Sequence, residues 1–160
     1  MKRRFLIIGL ISGLSGIFAC KNNTTDKASQ VQTNLQETKA KVETLKNVLD
    51  AFNSHNPDEI MEYFVDDCTF DFPRGPEPWG QRFTGKAQVR EAIAGRFKGI
   101  PDVHYVDEGH WVAGDKGTSE WMLTGTTTTG DIVKVRICVL WEFRNDKISR
   151  MDTYWKIVEK

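Results

Sequence analysis

After Pro101 the sequence is divided into four segments of strand-like alternation, and short turn signals connect them. The segments span about 103–113, 118–128, 131–143 and 147–158. The connections are Gly114-Asp115-Lys116-Gly117, Thr129-Gly130 and Asn145-Asp146, which are residue types that favour tight turns. Because short turns join strands that pair with each other, this half of the chain predicts an antiparallel meander.

Alternation within the last two segments indicates which face of the sheet is buried. In 131–143 one face carries only apolar side chains: Val133, Val135, Ile137, Val139, Trp141 and Phe143. In 147–158 the same test points Met151, Thr153, Trp155 and Ile157 inward and leaves Arg150, Asp152, Tyr154 and Lys156 outside. Ile148 and Val158 do not fit this assignment.

The first helix signal lies ahead of Ser54. Its apolar residues recur at steps of three, four and seven, as one stripe of a helix does: Leu35, Val42, Leu45, Leu49 and Phe52. Asn56, whose side chain can cap a helix, then precedes Pro57, a residue favoured at the first helical position. These two residues predict a second, short helix that ends near Phe64.

A strand and a third helix complete the first half of the chain. Asp67–Phe72 alternates between polar and apolar residues and predicts a strand, which ends in the proline-rich segment 73–78 because regular pairing stops there. The third helix is predicted from Thr84 or Gly85 to Gly99. Helices followed by a meander are typical of an α+β domain with the helices packed on one face of a strongly bent sheet.

Residues 1–19 have the order of charged and apolar residues that is typical of a secretory signal. Three basic residues precede an apolar run, Phe5–Leu14, which is well below the roughly 20 residues of a membrane-spanning helix. We therefore expect the mature chain to be exported.

The segment Ile17-Phe18-Ala19-Cys20 resembles the lipobox of bacterial lipoproteins. The resemblance implies that Cys20 becomes a lipid-modified N-terminus and anchors the protein to a membrane of the cell envelope. The alternative is an uncleaved or conventionally cleaved signal with an ordinary Cys20. Residues 20–36 are polar and predict a flexible tether, and residues 37–160 have the length of one domain.

Charge and composition exclude several classes of partner. Lys+Arg and Asp+Glu both number 22, so the formal net charge is zero and the electrostatic footprint of a nucleic-acid-binding protein is missing. No histidine stands at metal-ligand spacing from a second histidine or an acid, so neither a metal nor another cofactor is expected. Cys68 and Cys138 are expected to be small buried side chains.

Several segments together resemble the nuclear transport factor 2-like superfamily, which includes the ketosteroid isomerase-like and SnoaL-like domains. They are Leu49–Ile60, Tyr63–Asp71, Gly75–Pro78, Gly85–Glu91 and Trp141–Ile148. The resemblance implies a cone-shaped, curved, antiparallel-rich sheet with about three helices on its concave face and a small-molecule pocket. It implies no single activity, because this superfamily hosts many activities and some members with none.

Asp71 corresponds to the general-base carboxylate of ketosteroid isomerases. Between Phe70 and Phe72 it could be partly desolvated, which would raise its pKa and make it a better base. The alternative is that Asp71 ends its strand and bonds the following turn. The oxyanion donors of those enzymes correspond to Val48 and Val139, which cannot donate a hydrogen bond, so steroid isomerisation by the familiar mechanism is not expected.

Asp152 is a second, weaker catalytic candidate. Its segment, Arg150–Trp155, is similar to the last strand of SnoaL-like cyclases and epoxide hydrolases, where an acid can be catalytic. Alternation instead favours the outer face of the sheet, with an ion pair to Arg136 or Lys134.

Large apolar side chains predict the lining of the pocket, with two loop residues at its mouth: Phe52, Trp121, Val139, Trp141, Met151 and Trp155, then Trp79 and Arg82. The first hypothesis is a membrane-tethered domain that binds a small hydrophobic molecule. One alternative is an acid–base enzyme of the isomerase, cyclase, dehydratase or hydrolase type that uses Asp71. Another is a non-catalytic module that forms a homodimer through the outer face of the sheet.

Overall fold

The computed structural model describes residues 23–158, so the proposed signal segment and Cys20 lie outside the described residues. Three helices and six strands follow one another: α1 (Asn23–Asn53), α2 (Pro57–Glu62), β1 (Phe64–Glu77), β2 (Gly80–Thr84), α3 (Lys86–Gly99), β3 (His104–Ala113), β4 (Lys116–Thr126), β5 (Ile132–Arg144) and β6 (Lys147–Trp155). None of these helices combines the length and the apolar content that crossing a membrane requires.

The strands form one mixed sheet in the order β2-β1-β6-β5-β4-β3. Neighbouring strands are antiparallel except for β1 and β6, which are parallel. The meander predicted from the turn residues is therefore present as β3 to β6. The α+β class, with three helices on a curved, antiparallel-rich sheet, is confirmed.

The core lies between the helices and the inner face of the sheet. The inner face of β5 is confirmed, since Ile137, Val139, Trp141 and Phe143 are buried and its first two valines are partly buried. Fully buried side chains of the first helix, Leu45 and Val48 among them, cover this face. This burial is the main stabilising contribution to the domain.

The inward face of β6 was predicted only in part. Met151 and Thr153 are buried, but Ile157 lies beyond the end of the strand and is exposed. Ile148 is buried because the register shifts: Glu142 pairs with Arg150 and the next residue of β5 pairs with Ile148. This β-bulge changes which residues of β6 face inward, odd-numbered on one side of it and even-numbered on the other, and strict alternation cannot predict such a change.

The predicted flexible tether is wrong for its described part, because α1 begins at Asn23. Leu35 is also not a core residue, since it is 46% exposed. The polar residues before it lack apolar surface but include good helix formers such as Lys, Gln, Glu and Ala. They continue a helix that is already held by the packing of its C-terminal half.

The prediction that strand structure stops at residues 73–78 is also wrong. The first strand continues through them to Glu77 and forms a hairpin with β2, with an irregular register between Phe72 and Glu77 that accommodates the prolines. Gly80 has a φ of 84°, and a Cβ atom there would lie 1.9 Å from the Phe72 carbonyl oxygen. The hairpin therefore requires glycine at this position.

Candidate functional site

A cleft of about 890 Å³ opens between α3, the β1–β2 hairpin, the start of β5 and the residues after β6. Its apolar lining comes from each of these elements: Phe72, Phe83, Ala92, Val133, Val135, Trp155, Ile157 and Val158. The alternation of β1 and β2 turns Phe72 and Phe83 to the inner face, which is the side on which the third helix packs.

The third helix presents small residues to the cleft. Ala92, Gly95 and Gly99 recur at helical spacing along its lining. A Cβ atom built on either glycine would meet nothing within 4 Å. Gly95 lies inside the helix, where glycine costs up to about 1 kcal/mol relative to alanine, so this position keeps the cleft open at the expense of helix stability.

Arg96 is the main charged group inside the cleft. Its guanidinium carbon lies 4.7 Å from the ring centroid of Phe72 and 4.6 Å from that of Trp155, in cation–π contact with both. Burial lowers the pKa of the Arg96 guanidinium below its ordinary value, and the neighbouring Tyr105 hydroxyl offsets part of this effect. Arginine stays protonated in proteins, so the group is a partly desolvated cation.

An inner cavity of about 20 Å³ lies on the other side of Arg96, which lines both spaces. The cavity has room for about one water molecule. Its walls include two buried polar atoms with no hydrogen-bond partner among the described residues, Trp121 Nε1 and Thr153 Oγ1. Trp155 Nε1 is likewise buried without a partner in the described part of the chain.

The predicted pocket residues separate into three groups. Trp155 lines the cleft, and Phe52, Trp121 and Met151 line the inner cavity. The other four line neither space. Val139 and Trp141 are buried in the core and line neither space, Trp79 is exposed, and Arg82 belongs to the opposite face of the sheet.

Asp71 faces away from the cleft. Its side chain is fully buried on the face of β1 opposite to Phe70 and Phe72, where it pairs with two arginines. Arg82 Nε and Nη2 donate to its two oxygens at 2.6 and 2.7 Å, and Arg150 Nε and Nη2 donate to Oδ2 at 3.0 and 2.8 Å.

Burial by itself raises the pKa of the Asp71 carboxyl. The hydrogen bonds from Arg82 and Arg150 outweigh that effect and hold the pKa below its usual range. An ionised carboxylate that is surrounded by cations and lies outside the cleft is poorly suited to abstract a proton from a ligand. The geometry therefore does not support Asp71 as a general base.

Asp152 lies beside Asp71 in the register of the two parallel strands, and the prediction that it occupies the outer face is correct. Its predicted partners are not, because Asp152 Oδ2 accepts from Arg150 Nη2 at 2.8 Å and from the Tyr154 hydroxyl at 3.2 Å. Arg136 pairs with two glutamates instead. Burial raises the pKa of the Asp152 carboxyl, and the Arg150 charge opposes this effect. We refer to Asp71, Arg82, Arg150 and Asp152 as the ion cluster.

A model of the SnoaL-like domain matches residues 45–151, which is more than half of the chain. The chain belongs to the SnoaL-like domain family. A search of the curated proteins found no match to this sequence.

Solved structures with the same fold come from several bacteria. A protein from Jannaschia sp. CCS1, assigned as a SnoaL-like polyketide cyclase, superimposes with a TM-score of 0.66 at 21% identity, over 74% of this chain and 87% of that chain. A Bacillus subtilis protein assigned as an isomerase gives 0.64 at 22% identity, over 74% and 87%. A Catenulispora acidiphila DSM 44928 protein with a ketosteroid isomerase-like fold, solved with trimethylamine, gives 0.63 at 22%, over 72% and 86%. At these identities the likeness shows the fold alone.

In this SnoaL-like domain the two valines predicted to stand at the positions of the isomerase oxyanion donors are inaccessible. Val48 and Val139 are fully buried in the core. Among residues 23–158, no three His, Cys, Asp or Glu side chains come close enough together to hold a metal ion. Cys68 and Cys138 are both free thiols, with the first buried and the second half-buried.

The sequence reasoning missed Phe72, Arg74 and Arg96 as cleft residues. The spacing of Ala92, Gly95 and Gly99 could have indicated the cleft, because it gives one face of a helix with no bulky side chain. An arginine next to that face then lies at the edge of an open space.

Proposed function

We propose that this chain is a SnoaL-like domain that binds a small, mostly hydrophobic molecule in the cleft between its third helix and the sheet. The cleft is the observation that supports this proposal. Its volume of about 890 Å³ falls within the range of small-molecule sites, and its walls are largely aromatic and aliphatic. Gly95 on the helical wall keeps it open at a cost in stability, which a purely structural element would not require.

Binding is favoured over the acid–base enzyme alternative by the position of the carboxylates. Asp71 and Asp152 belong to the ion cluster on the opposite face of the sheet. Asp131 is the one carboxylate among the described cleft residues, and it accepts a hydrogen bond from Thr129 Oγ1 at 2.9 Å. No pair of acids therefore converges on a ligand in the described part of the cleft.

We further propose that the domain is tethered to the cell envelope through a lipid on Cys20. The motif Ile17-Phe18-Ala19-Cys20 supports this proposal. The first helix would act as a spacer, because its residues 26–40 are mostly exposed and the helix before Lys41 extends about 27 Å along its axis.

A homodimer through the outer face of the sheet is a second proposal, which the exposed apolar side chains there favour. The register places Trp111 and Leu140 in one row, through Thr118, and Tyr154 lies in the adjacent row. All three large side chains are exposed. An exposed apolar patch of this kind is typical of an interaction surface.

The test of ligand binding fills the cleft without disturbing the fold. Gly95→Phe places a ring in open space, and it removes a helical glycine, so the thermal midpoint is expected to stay the same or rise. N-phenyl-1-naphthylamine, a neutral fluorophore, should bind the wild-type protein with increased emission, and Gly95→Phe should weaken this binding at least tenfold.

Lys98→Phe is the matched control, because it adds the same ring to an exposed position of the same helix outside the cleft lining. It should leave the affinity for the fluorophore unchanged. Equal binding by all three proteins would show that the fluorophore does not occupy the cleft and would contradict the proposal.

A further inference from the structure

We infer that the ligand of the cleft is an anion, namely an apolar ring system that carries a carboxylate or a comparably acidic oxygen, with Arg96 as its principal partner. The inference rests on the proposed function, since it specifies what kind of small molecule the cleft binds.

The charges around the cleft are unbalanced. Among the described lining residues, four side chains are cationic, Arg74, Arg96, Lys134 and Lys156, and one, Asp131, is a carboxylate. Such an excess on the walls of a concave, low-dielectric site concentrates anions in it. The net charge of the whole chain is zero, so this local bias is not a consequence of a basic protein.

The arginines of residues 23–158 divide according to their position. Five of them form ion pairs with carboxylates: Arg82, Arg90, Arg136, Arg144 and Arg150. Arg74 and Arg96 have no carboxylate partner among the described residues, and both line the cleft. Both instead lie over the ring of Trp155, and Arg96 also lies over that of Phe72, so neither charge is balanced by a described carboxylate where the ligand is proposed to bind.

Arg96 is the more informative of the two because it is half-buried, whereas Arg74 is exposed. Moving a cation out of water is unfavourable unless a counter-charge or hydrogen-bond acceptors compensate for the lost hydration. The faces of Phe72 and Trp155 provide part of this compensation. The edge of the guanidinium retains N–H donors that a carboxylate can accept in the bidentate geometry.

A further donor belongs to one wall of the cleft. Trp155, which lines the cleft, has a buried Nε1 atom without a hydrogen-bond partner among the described residues. An indole N–H can only donate, so the site lacks acceptors rather than donors. A ligand with acceptor oxygens complements Arg96 and Trp155, whereas an ammonium ligand does not. Ring stacking on the exposed parts of the aromatic walls would hold its apolar body.

The experiment compares three naphthalene probes that share a ring system and differ in charge: 2-naphthoate, 2-naphthamide and 2-naphthylmethylammonium. Their affinities for the full-length protein are measured by displacement of N-phenyl-1-naphthylamine at neutral pH. We expect the carboxylate to bind at least tenfold tighter than the amide, which corresponds to about 1.4 kcal/mol, and the ammonium to bind most weakly. The preference should persist in 0.5 M NaCl, because salt screens a partly buried pair much less than an exposed one.

Arg96→Gln should weaken 2-naphthoate binding at least tenfold and change 2-naphthamide binding by less than threefold. Arg90→Gln is the matched control, since it makes the same change on the same helix at an arginine that pairs with Asp58 outside the cleft. It should leave both affinities unchanged. Thermal melts test whether both variants fold. If Arg96→Gln does not fold, the wild-type protein's preference for the carboxylate over the amide still tests whether the ligand is an anion.

The outcomes separate this inference from the proposed function. Equal binding of the carboxylate and the amide overturns the anion preference and leaves ligand binding intact. A carboxylate preference that Arg96→Gln retains overturns the role of Arg96. Binding of none of the probes, and none of the fluorophore, removes the proposed function and this inference with it.

Discussion

Asp71 illustrates how a residue can match a catalytic position in sequence and do something else in the structure. The alternation around it already placed Asp71 on the face opposite to Phe70 and Phe72, whereas the resemblance to isomerases suggested a base in the pocket. The structure follows the alternation. Two guanidinium groups at hydrogen-bond distance then make Asp71 the anionic centre of the ion cluster.

This role predicts a specific loss of stability. Asp71→Asn keeps the shape of the side chain but removes the charge, so Arg82 and Arg150 lose charge-assisted hydrogen bonds at a buried partner. We expect the free energy of unfolding at pH 7, measured by urea denaturation, to fall by about 1.5–3 kcal/mol. Asp58→Asn removes an exposed carboxylate that pairs with Arg90 and should have little effect.

The difference between wild type and Asp71→Asn should also depend on pH. The folded-state pKa of Asp71 is lowered, so its contribution is fully present above the unfolded-state pKa of about 3.9 and is lost as pH falls through the folded value. Asp152 has a raised pKa, so its contribution has the opposite sign and favours the folded state at low pH. A difference in unfolding free energy between wild type and Asp71→Asn that stays constant down to pH 2 would contradict the ionised state of Asp71.

At the level of elements, the sequence predicted best where local chemistry alone decides. The meander followed from turn residues such as Asn145-Asp146, both of which adopt positive φ, and the cap at Asn56 accepts hydrogen bonds from two backbone amides as expected. The strand β2 was missed because only Phe83 in it is strongly apolar and the strand lies at the edge of the sheet. Its existence depends on pairing with β1, which is a non-local contact.

The cleft was harder to predict than the core for a related reason. Trp155 was identified because the alternation along β6 holds at this residue. Val139 was assigned to the pocket although it lies in the core, because an inward-facing side chain can belong either to the core or to a pocket wall. Arg96 could not be assigned from its own identity, since a charged residue on a helix is exposed by default. Only the packing of α3 over Phe72 and Trp155 makes it a cleft residue.

The outer face of the sheet carries the prediction about assembly. Leu140→Glu should shift a homodimer towards monomer, because it replaces an exposed apolar side chain in the row of Trp111 with a charge. Sedimentation velocity at several protein concentrations measures the shift. The exposed Val31→Glu change on α1 serves as the control and should leave the distribution unchanged. A wild-type protein that is monomeric at every concentration would contradict the dimer proposal.

For the whole molecule, the open question is how the domain is placed in the cell. The described chain is a folded body with a long, polar, exposed helix at its N-terminal end, and the first core-facing side chains come only at about Lys41 and Leu45. Such a helix allows the domain to stand clear of a surface to which its N-terminus is attached. The cleft is built from Phe72 onward and does not depend on that attachment.

Cys20→Ala therefore separates anchoring from folding. If Cys20 carries acyl chains, wild-type protein should stay with the membrane fraction through a high-salt wash, because each buried methylene contributes about 0.8 kcal/mol and salt does not screen this term. The variant should be soluble or retained only by an uncleaved signal, with an unchanged thermal midpoint and unchanged fluorophore binding. A soluble wild-type species that begins after some residue other than Ala19 would remove the lipid anchor, while the cleft would keep its proposed role, since none of its lining residues precedes Phe72.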